Sequence, residues 1–413
     1  MAVEIMAPSG SYESLIAAIK AGAGSVYFGV GKLNMRSKSS NFEFDDLKKV
    51  AKICKEHNVK SYLALNTVMY DEDIVSIKKI CNTAKEAGIT AIIASDVSVI
   101  KYCNKIGMEV HISTQLNVSN IEAVKFYSQF ADVIVLAREL TLKKIKHIAK
   151  EIKKQKIKGP SGNLLKIELF VHGALCVSIA GKCYMSLALH NKSANKGECL
   201  QVCRGSYKVT DQETGNELVV DNNYIMSPKD LCTITVLDKI LDSGASILKI
   251  EGRGRSPDYA YKTTKAYKEA VDACLKGKYT KEKIELWLNE LHSVYNRGFW
   301  HGGYYLGNNL GEWCNCYGSK ATTEKVFVGV GINYYQKNNV AEFLIQSQEL
   351  KEGDTILITG PTTGVIEAKA DSLHKDGNPS KNAVKGDRIT FKLNERIRKN
   401  DKLFVIIAKD TKI

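Results

Sequence analysis

Short apolar runs alternate with amphipathic helical patterns over most of the chain. Eight runs of strand length occupy residues 3–6, 25–28, 60–65, 91–94, 109–113, 132–136, 167–171 and 246–250. Amphipathic segments such as 12–21, 44–56, 72–87 and 121–130 lie between them and predict helices. Eight alternating units are typical of an α/β fold, a closed (β/α)8 barrel of the TIM type. An open doubly wound sheet is the alternative, but no dinucleotide glycine fingerprint follows the first strand.

The pattern becomes purely β after about residue 323. Six short segments, from KVFVGVGINYY to DKLFVIIA, are separated by turns such as KEGD, VKGD and RKND. We therefore expect two domains: a barrel over residues 1–310 and a small all-β barrel over residues 320–413. Modules of the second kind often contact RNA and also serve as plain docking domains, and the sequence leaves both roles open.

An insertion over about residues 176–227 separates the seventh and eighth predicted barrel strands. Residues 207–224 predict a small hairpin around the turn QETGN. MSPKDL follows, and its Ser227 and Pro228 predict the start of a helix that leads to the eighth strand. The insertion would then lie over the carboxyl ends of the barrel strands.

Four of the chain's eleven cysteines, Cys176, Cys183, Cys199 and Cys203, fall in this insertion. Thiols gathered in this way can form disulfides, bind a structural zinc, ligate an iron–sulfur cluster or remain reduced. Zinc ribbons usually carry two close pairs, and here only the second pair is close. The irregular spacing favours an iron–sulfur cluster, with 4Fe–4S as the expected form and zinc as the alternative. Cys232 is a fifth candidate ligand.

Polar residues gather where the predicted strands end, which is the catalytic end of a TIM barrel. They comprise Ser9, Asn34, Arg36, Asn66, Asp96, His111, Gln115, Asn117, Arg138, Glu139, His172, Lys249, Glu251 and Arg253. The catalytic candidates are His111, Gln115, Arg138, His172 and Glu251; the substrate-binding candidates are Asn34, Arg36, Lys249 and Arg253. Three arginines around one mouth require carboxylates, for which Glu139 and Glu251 are suited, or an anionic ligand. Asn66 and Asp96 are equally suited to capping helices, and the two histidines to lying in the core.

The formal net charge of +14 suits a polyanionic partner such as RNA. Lysine-rich helices explain the same charge, since residues 143–158 place isoleucines at helical spacing among eight lysines. No basic leader followed by an apolar segment opens the sequence, and no run approaches the roughly 18 apolar residues of a membrane span. We expect a cytoplasmic protein with reduced cysteines and no membrane partner.

Eight segments follow one another along the chain: MAPSGSYESLIAAIKAGAGSVYFG, LNMRSKSSNF, VHISTQLN, VLAREL, the stretch from ELFVHGALC to CYMS, MSPKDL, LKIEGRGRSPDY and NRGFWHGG. Together they resemble peptidase family U32, the collagenase-like peptidases. In length and in its C-terminal β extension the chain is most similar to the tRNA hydroxylation protein P group. That resemblance implies synthesis of 5-hydroxyuridine at the wobble position, with an iron–sulfur cluster, prephenate as co-substrate and the tRNA anticodon loop as partner. The mouth arginines would hold such a dicarboxylate.

Two other functions remain open from the sequence. A peptidase could use Cys176 as nucleophile with His172 as base, although four residues along a strand span about 13 Å, so the chain would have to turn sharply at Gly173. Neither HExxH nor GxSxG is present. The chain could also be a scaffold subunit that lends a cluster to a paired homologue, as shorter members of the family do in quinone hydroxylation.

Overall fold

The computed structural model describes residues 3–39, 41–217, 226–307 and 312–409. The first ten strands are β1 (Glu4–Pro8), β2 (Ser25–Gly29), β3 (Lys60–Leu65), β4 (Ala91–Ala94), β5 (Glu109–Ile112), β6 (Val133–Val135), β7 (Lys166–Gly173), β8 (Asp230–Cys232), β9 (Ile247–Ile250) and β10 (Phe299–His301). Strands β1 to β7 pair in parallel, and β9 pairs with both β7 and β1, which closes a ring of eight. The predicted TIM-type barrel is confirmed.

Most helices pack their apolar faces against the barrel, whereas the short helix at residues 185–190 lies in the cysteine insertion and buries only Ser186. They are α1 (Tyr12–Lys20), α2 (Leu47–Glu56), α3 (Ile74–Ala87), α4 (Val97–Lys105), α5 (Ile121–Ser128), α6 (Leu142–Lys154), α7 (Met185–His190), α8 (Leu237–Asp242), α9 (Pro257–Leu275) and α10 (Lys281–Ser293). Side chains of Ser11, Asp96 and Asn120 cap α1, α4 and α5 by accepting a backbone N–H two or three residues on. Asp96 is therefore a helix cap.

Helix α6 explains the lysine-rich run. Its Ile145, Ile148 and Ile152 are buried against the barrel, while most of its lysines are exposed. The run is the solvated face of an amphipathic helix. No helix in the described ranges combines the length and apolar character needed to cross a membrane.

The segment MSPKDL does not begin a helix, so that prediction was wrong. Asp230–Cys232 forms β8, which is fully buried and runs antiparallel to the end of β7, and the next helix begins only at Leu237. Pairing with β7 and β10 overrides the local Ser-Pro signal. Of the predicted hairpin at 207–224, an antiparallel bridge joins Thr210 to Glu217, and residues 218–224 lie outside the described residues.

The C-terminal segment is all β, as predicted. Its strands are β11 (Thr323–Tyr335), β12 (Val340–Ile345), β13 (Leu350–Lys351), β14 (Thr355–Gly360), β15 (Gly364–Lys369), β16 (His374–Lys375), β17 (Asn378–Pro379), β18 (Asn382–Ala383), β19 (Arg388–Lys392) and β20 (Lys402–Ala408). Eight of them form one antiparallel sheet in the order β15-β14-β20-β11-β12-β19-β16-β17, and β13 pairs with β18. Among the described residues no pairing joins β15 to β17, so the sheet curls around its core without a closed ring of hydrogen bonds.

The C-terminal module docks on the side of the barrel. Ala17 of α1 packs in a buried cluster with Leu357 and Val365 of the module. Ion pairs frame this contact, with Lys20 at 2.6 Å from Glu395. The apolar contact and its charged rim fix the module against α1 and α9.

Candidate active site

One cavity of about 230 Å³ lies at the carboxyl ends of the barrel strands, beneath the cysteine insertion. Its wall contains all four insertion cysteines, Cys176, Cys183, Cys199 and Cys203. Its basic lining residues are Arg36, Arg138, Arg204, Lys249, Arg253 and Arg255, and its carboxylate among the described residues is Glu251. Thiols and a predominantly cationic wall therefore share one space at the end where TIM barrels carry their chemistry.

The insertion is seated on the barrel by backbone contacts. The Arg204 guanidinium donates to the carbonyl oxygens of Leu175 at 2.5 Å and Pro228 at 2.9 Å. On the other side, Ser37 donates to the carbonyl oxygen of Gly197 at 2.8 Å. Two fixed ends hold the cysteine-bearing loop over the cavity.

The four thiols are free of disulfides. Burial raises the pKa of Cys203, Arg204 opposes that rise, and the neighbouring thiols Cys176, Cys199 and Cys183 add to it. A bound cationic metal centre would reverse this trend and hold the sulfurs as thiolates. Within the described part of the chain no three His, Cys, Asp or Glu side chains are close enough together to hold a single metal ion.

Cys232 lies apart from this group. It is fully buried in β8, and burial raises the pKa of its thiol to about 12. Its side chain is not part of the cavity wall. The structure therefore does not bring the fifth candidate ligand together with the other four.

The basic wall is held in a fixed arrangement. Arg36 lies 3.3 Å from Glu251 Oε1, and Tyr27 donates to Glu251 Oε2 at 2.9 Å. Burial would raise the pKa of Glu251, but Arg36 and Arg253 outweigh it and lower that pKa, so the carboxylate is ionised. Glu251 is therefore the carboxylate partner that the sequence suggested for the arginines.

Arg253 is buried, with 4% of its surface exposed. It donates from Nη1 to Asn34 Oδ1 at 3.0 Å, and its Nε has no hydrogen-bond partner among the described residues. Asn34 is also buried and also accepts the backbone N–H of Arg36. Asn34 thus positions the arginines and is not itself part of the cavity wall.

Two further arginines face the cavity. Arg138 is half-buried and makes no hydrogen bond or ion pair with the described residues. Arg255, which sequence reasoning missed, lies with its guanidinium 3.6 Å from the centroid of the Tyr295 ring. It belongs to the same GRGR loop as Arg253, where no strand periodicity predicts the direction of a side chain.

Gln115 lies in a polar group on the cavity wall. Its Oε1 accepts from Ser113 Oγ and, at 3.3 Å, from Asn66 Nδ2. Asn66 also accepts the backbone N–H of Met35 at 3.3 Å, so it ties neighbouring loops together and does not cap a helix. The other polar candidates outside the cavity wall are Ser9, Asp96, His111, Asn117 and Glu139.

His172 lines the cavity but is 98% buried, since only 2% of it is exposed. Burial, then the nearby His292 and His301, lower its pKa to about 3, so the ring is neutral. Cys176 Sγ has Ser178 Oγ as its partner at 3.0 Å, and no hydrogen bond to His172 is formed. A pKa this low makes His172 a weak base for activating a thiol.

His111 lies inside the barrel and not at its mouth, which corrects the predicted placement. Its Nε2 is 3.3 Å from Glu109, and its Nδ1 is 3.4 Å from the fully buried Glu168. Glu168 in turn accepts from Lys249 Nζ at 2.8 Å. Glu168 was missed, although a carboxylate within the apolar run KIELFVH is a visible signal.

A closed (β/α)8 barrel with a thiol-lined, cationic cavity at its strand ends defines a TIM-barrel protein with one composite site. The sequence model of peptidase family U32 matches residues 10–315. The chain belongs to that family.

Relatives of this chain carry two kinds of name, one for a protease and one for RNA modification. A protein named collagenase from Porphyromonas gingivalis is 54% identical over 402 residues, covering 97% of each chain. tRNA hydroxylation protein P1 of Bacillus subtilis is 30% identical over 411 residues, covering 95% of this chain and 92% of that protein. The 23S rRNA 5-hydroxycytidine C2501 synthase of Escherichia coli is 30% identical over 274 residues, covering 66% of this chain and 40% of that protein.

Proposed function

We propose that this protein hydroxylates carbon 5 of a pyrimidine in RNA, with the wobble uridine of tRNA as substrate and 5-hydroxyuridine as product. The observation that carries the proposal is that four insertion thiols and six basic side chains line one and the same cavity. Relatives named for tRNA hydroxylation and for 5-hydroxycytidine synthesis in rRNA support RNA as the substrate class and carbon 5 as the target.

The cysteines suit an iron–sulfur cluster, in which Cys176, Cys183, Cys199 and Cys203 would be the ligands. Four thiols converge on one space without the tight grouping that a single zinc requires, since zinc binds sulfur at about 2.3 Å. A cluster separates its ligands because the inorganic core lies between them. When bound, such a cluster would supply redox or Lewis-acid chemistry at the cavity. Zinc is the alternative occupant.

The buried Arg253 fits a small carboxylate co-substrate such as prephenate. Arg253 is part of the cavity wall, and its Nε is a buried donor without a hydrogen-bond partner among the described residues. Arg138 also faces the cavity and has no ion pair within the described part of the chain, whereas Arg36 is already paired with Glu251. Arg253 and Arg138 are therefore the side chains best suited to bind the two carboxylates.

The substrate base has to leave its stack to reach the cavity. Tyr184, in the insertion beside Cys183, is 73% exposed and could stack on such a base. Tyr70 is 49% exposed and has the Lys196 ammonium 4.1 Å from its ring centroid. Exposed aromatic rings beside lysines suit a single-stranded anticodon loop.

The test uses protein purified without oxygen, unmodified tRNA and prephenate, with the tRNA nucleosides then analysed by mass spectrometry. The expected result is 5-hydroxyuridine that depends on Cys176 and on prephenate, while the remote Cys274→Ala control keeps activity. Failure to form any hydroxylated pyrimidine with a correctly folded, metal-loaded protein would contradict the proposal.

A peptidase is the second candidate, because the relative at 54% identity is named collagenase. It would need Cys176 as a nucleophile. The contact of this thiol with Ser178 and the low pKa of His172 both weigh against that role. Cleavage of gelatin by the purified protein, abolished in Cys176→Ser, would favour the peptidase.

A further inference from the structure

The interior of the barrel is partly polar, since ionisable side chains lie beside a small buried apolar cluster that includes Met6, Ile93 and Ile247. TIM-barrel interiors are usually dominated by branched apolar side chains. Four ionisable side chains follow one another along the interior of this barrel: Glu109, His111, Glu168 and Lys249. We refer to these four as the axial column. His111 and Glu168 are fully buried, and Lys249 is 4% exposed.

The members of the column are spaced at contact distance. Glu109 Oε1 is 3.3 Å from His111 Nε2, and His111 Nδ1 is 3.4 Å from Glu168 Oε2. Glu168 Oε1 is 2.8 Å from Lys249 Nζ. Each of the two inner side chains uses one atom toward the previous member and another toward the next, so the four lie in one row at contact distance.

The two ends of the column open to different spaces. Glu109 is the first residue of β5, at the amino end of the barrel, and its side chain is 38% exposed. Lys60 and Lys166, the first residues of β3 and β7, are the cations that act on Glu109. Lys249 is part of the wall of the thiol-lined cavity at the opposite end. The column thus joins solvent at one end to the candidate active site at the other.

Other groups contact the column from neighbouring strands. The Tyr62 ring packs on His111 with centroids 4.4 Å apart, and the Tyr62 hydroxyl donates to Glu4. At the cavity end, Lys249 Nζ lies 4.5 Å from the Tyr27 ring centroid, and Glu251 is the nearby carboxylate. The charges therefore alternate along the column between carboxylate and cation.

The contact between His111 and Glu168 lacks the directed hydrogen bonds that a purely structural ion network would have. His111 Nδ1 and Glu168 Oε2 are buried and face each other, yet neither has a properly directed hydrogen bond among the described residues. Burial would lower the pKa of His111, but Glu109 and Glu168 outweigh it and raise that pKa. The titratable ring of His111 therefore lies between two carboxylates. At its contact with Glu168, Nδ1 and Oε2 each have an unused hydrogen-bonding position.

We propose that the axial column is a proton path between the amino end of the barrel and the cavity. This inference goes beyond the proposed function, because it holds for any reaction in the cavity that consumes or releases a proton. Lys249 Nζ gives one proton to a base in the cavity. The imidazolium of His111 releases its Nδ1 proton to Glu168, which passes one to Lys249 and becomes a carboxylate again. His111, left with hydrogen on Nε2, turns its ring so that the bare nitrogen faces Glu109 and takes up a proton there from water. One proton enters for each that leaves, and no group is oxidised or reduced.

The experiment measures how fast the imidazole N–H protons of His111 exchange with water, by NMR of protein labelled with ¹⁵N-histidine. The His111 signals are assigned by their loss in His111→Gln. A proton path predicts rapid exchange despite complete burial, slowed at least tenfold in Glu109→Gln. Glu109→Asp keeps a titratable carboxyl and should restore much of the rate.

The matched control is Glu122→Gln, an exposed carboxylate on α5 outside the column, which should leave the exchange rate unchanged. Unfolding temperatures confirm that each variant is folded. Slow His111 exchange in the unaltered protein, or a rate unaffected by Glu109→Gln, would overturn the path and leave the column as a structural ion network. Neither outcome depends on hydroxylase activity.

Discussion

Gly197 of the cysteine insertion lies directly against the backbone of Asn34. A Cβ at Gly197 would be 2.2 Å from the Asn34 carbonyl oxygen, and the glycine has φ of 87°. The Asn34 side chain accepts from Arg253, a residue of the cavity wall. One close contact therefore links the position of the cysteines to that of the arginines.

Replacing Gly197 by alanine should displace the insertion, since both the backbone conformation and the space exclude a Cβ. We expect faster proteolytic cleavage within residues 176–208 and weaker binding of the proposed metal centre. Gly215→Ala is the control, because Gly215 has φ of 70° but nothing within 4 Å of its Cβ position. Equal sensitivity of the two variants to proteolysis would contradict the close seating of the insertion.

Arg253→Lys should weaken binding of a small dicarboxylate. Lysine keeps the charge but loses the forked donors, including the buried Nε. We expect the Kd for prephenate, measured by calorimetry, to rise roughly tenfold or more. Arg388→Lys, in β19 of the C-terminal module, is the control and should bind as the unaltered protein does. An unchanged Kd in Arg253→Lys would remove this residue from the anion site.

His172 should make the protein less stable in acid. The pKa of His172 is about 3 in the folded state, against an ordinary value of 6.5. Between about pH 3 and pH 6.5 the unfolded chain therefore binds the proton more readily than the folded chain. Stability contributed by the neutral ring is present above pH 6.5 and is lost as pH falls. Between pH 6.5 and about 4 the loss is about 3 kcal/mol. His172→Gln should flatten that part of the curve in urea unfolding, and an unchanged slope would contradict the neutral assignment.

The docking of the C-terminal module can be tested at Gly364, which has φ of 70°. A Cβ there would be 2.8 Å from the Ile16 side chain and 2.9 Å from the Ala17 backbone N. Gly364→Ala should destabilise the protein by about 1 to 3 kcal/mol. Gly353→Ala has a similar φ of 87° in open space and isolates the backbone cost. Equal losses of free energy of unfolding in the two variants would rule out tight docking.

The barrel was predictable because strands buried on both faces leave short apolar runs, and all eight appear where the sequence placed them. The helix predicted at MSPKDL was wrong because Ser227 and Pro228 are locally typical of a helix start. Ser227 instead accepts from Arg204, and the chain pairs with β7 as β8. Long-range pairing of this kind leaves little trace in a local pattern.

The sequence predicted site residues only where they lie at the ends of predicted strands. The thiols and Glu251 do share the cavity, but the sequence could not give the depth of His111 within its strand. Arg204 and Arg255 were missed because they lie in loops, where no period fixes the direction of a side chain. Whether the cysteines bind a cluster stays a prediction.

The most direct measurement is the iron and acid-labile sulfide content of protein purified without oxygen, together with its visible spectrum. We predict about four irons and four sulfides per chain, with broad absorption. Both should be lost in the Cys176→Ala, Cys183→Ala double variant and retained in Cys274→Ala, whose thiol lies outside the cavity wall. Zinc in place of iron, no metal, or a cluster that survives the double variant would contradict the account.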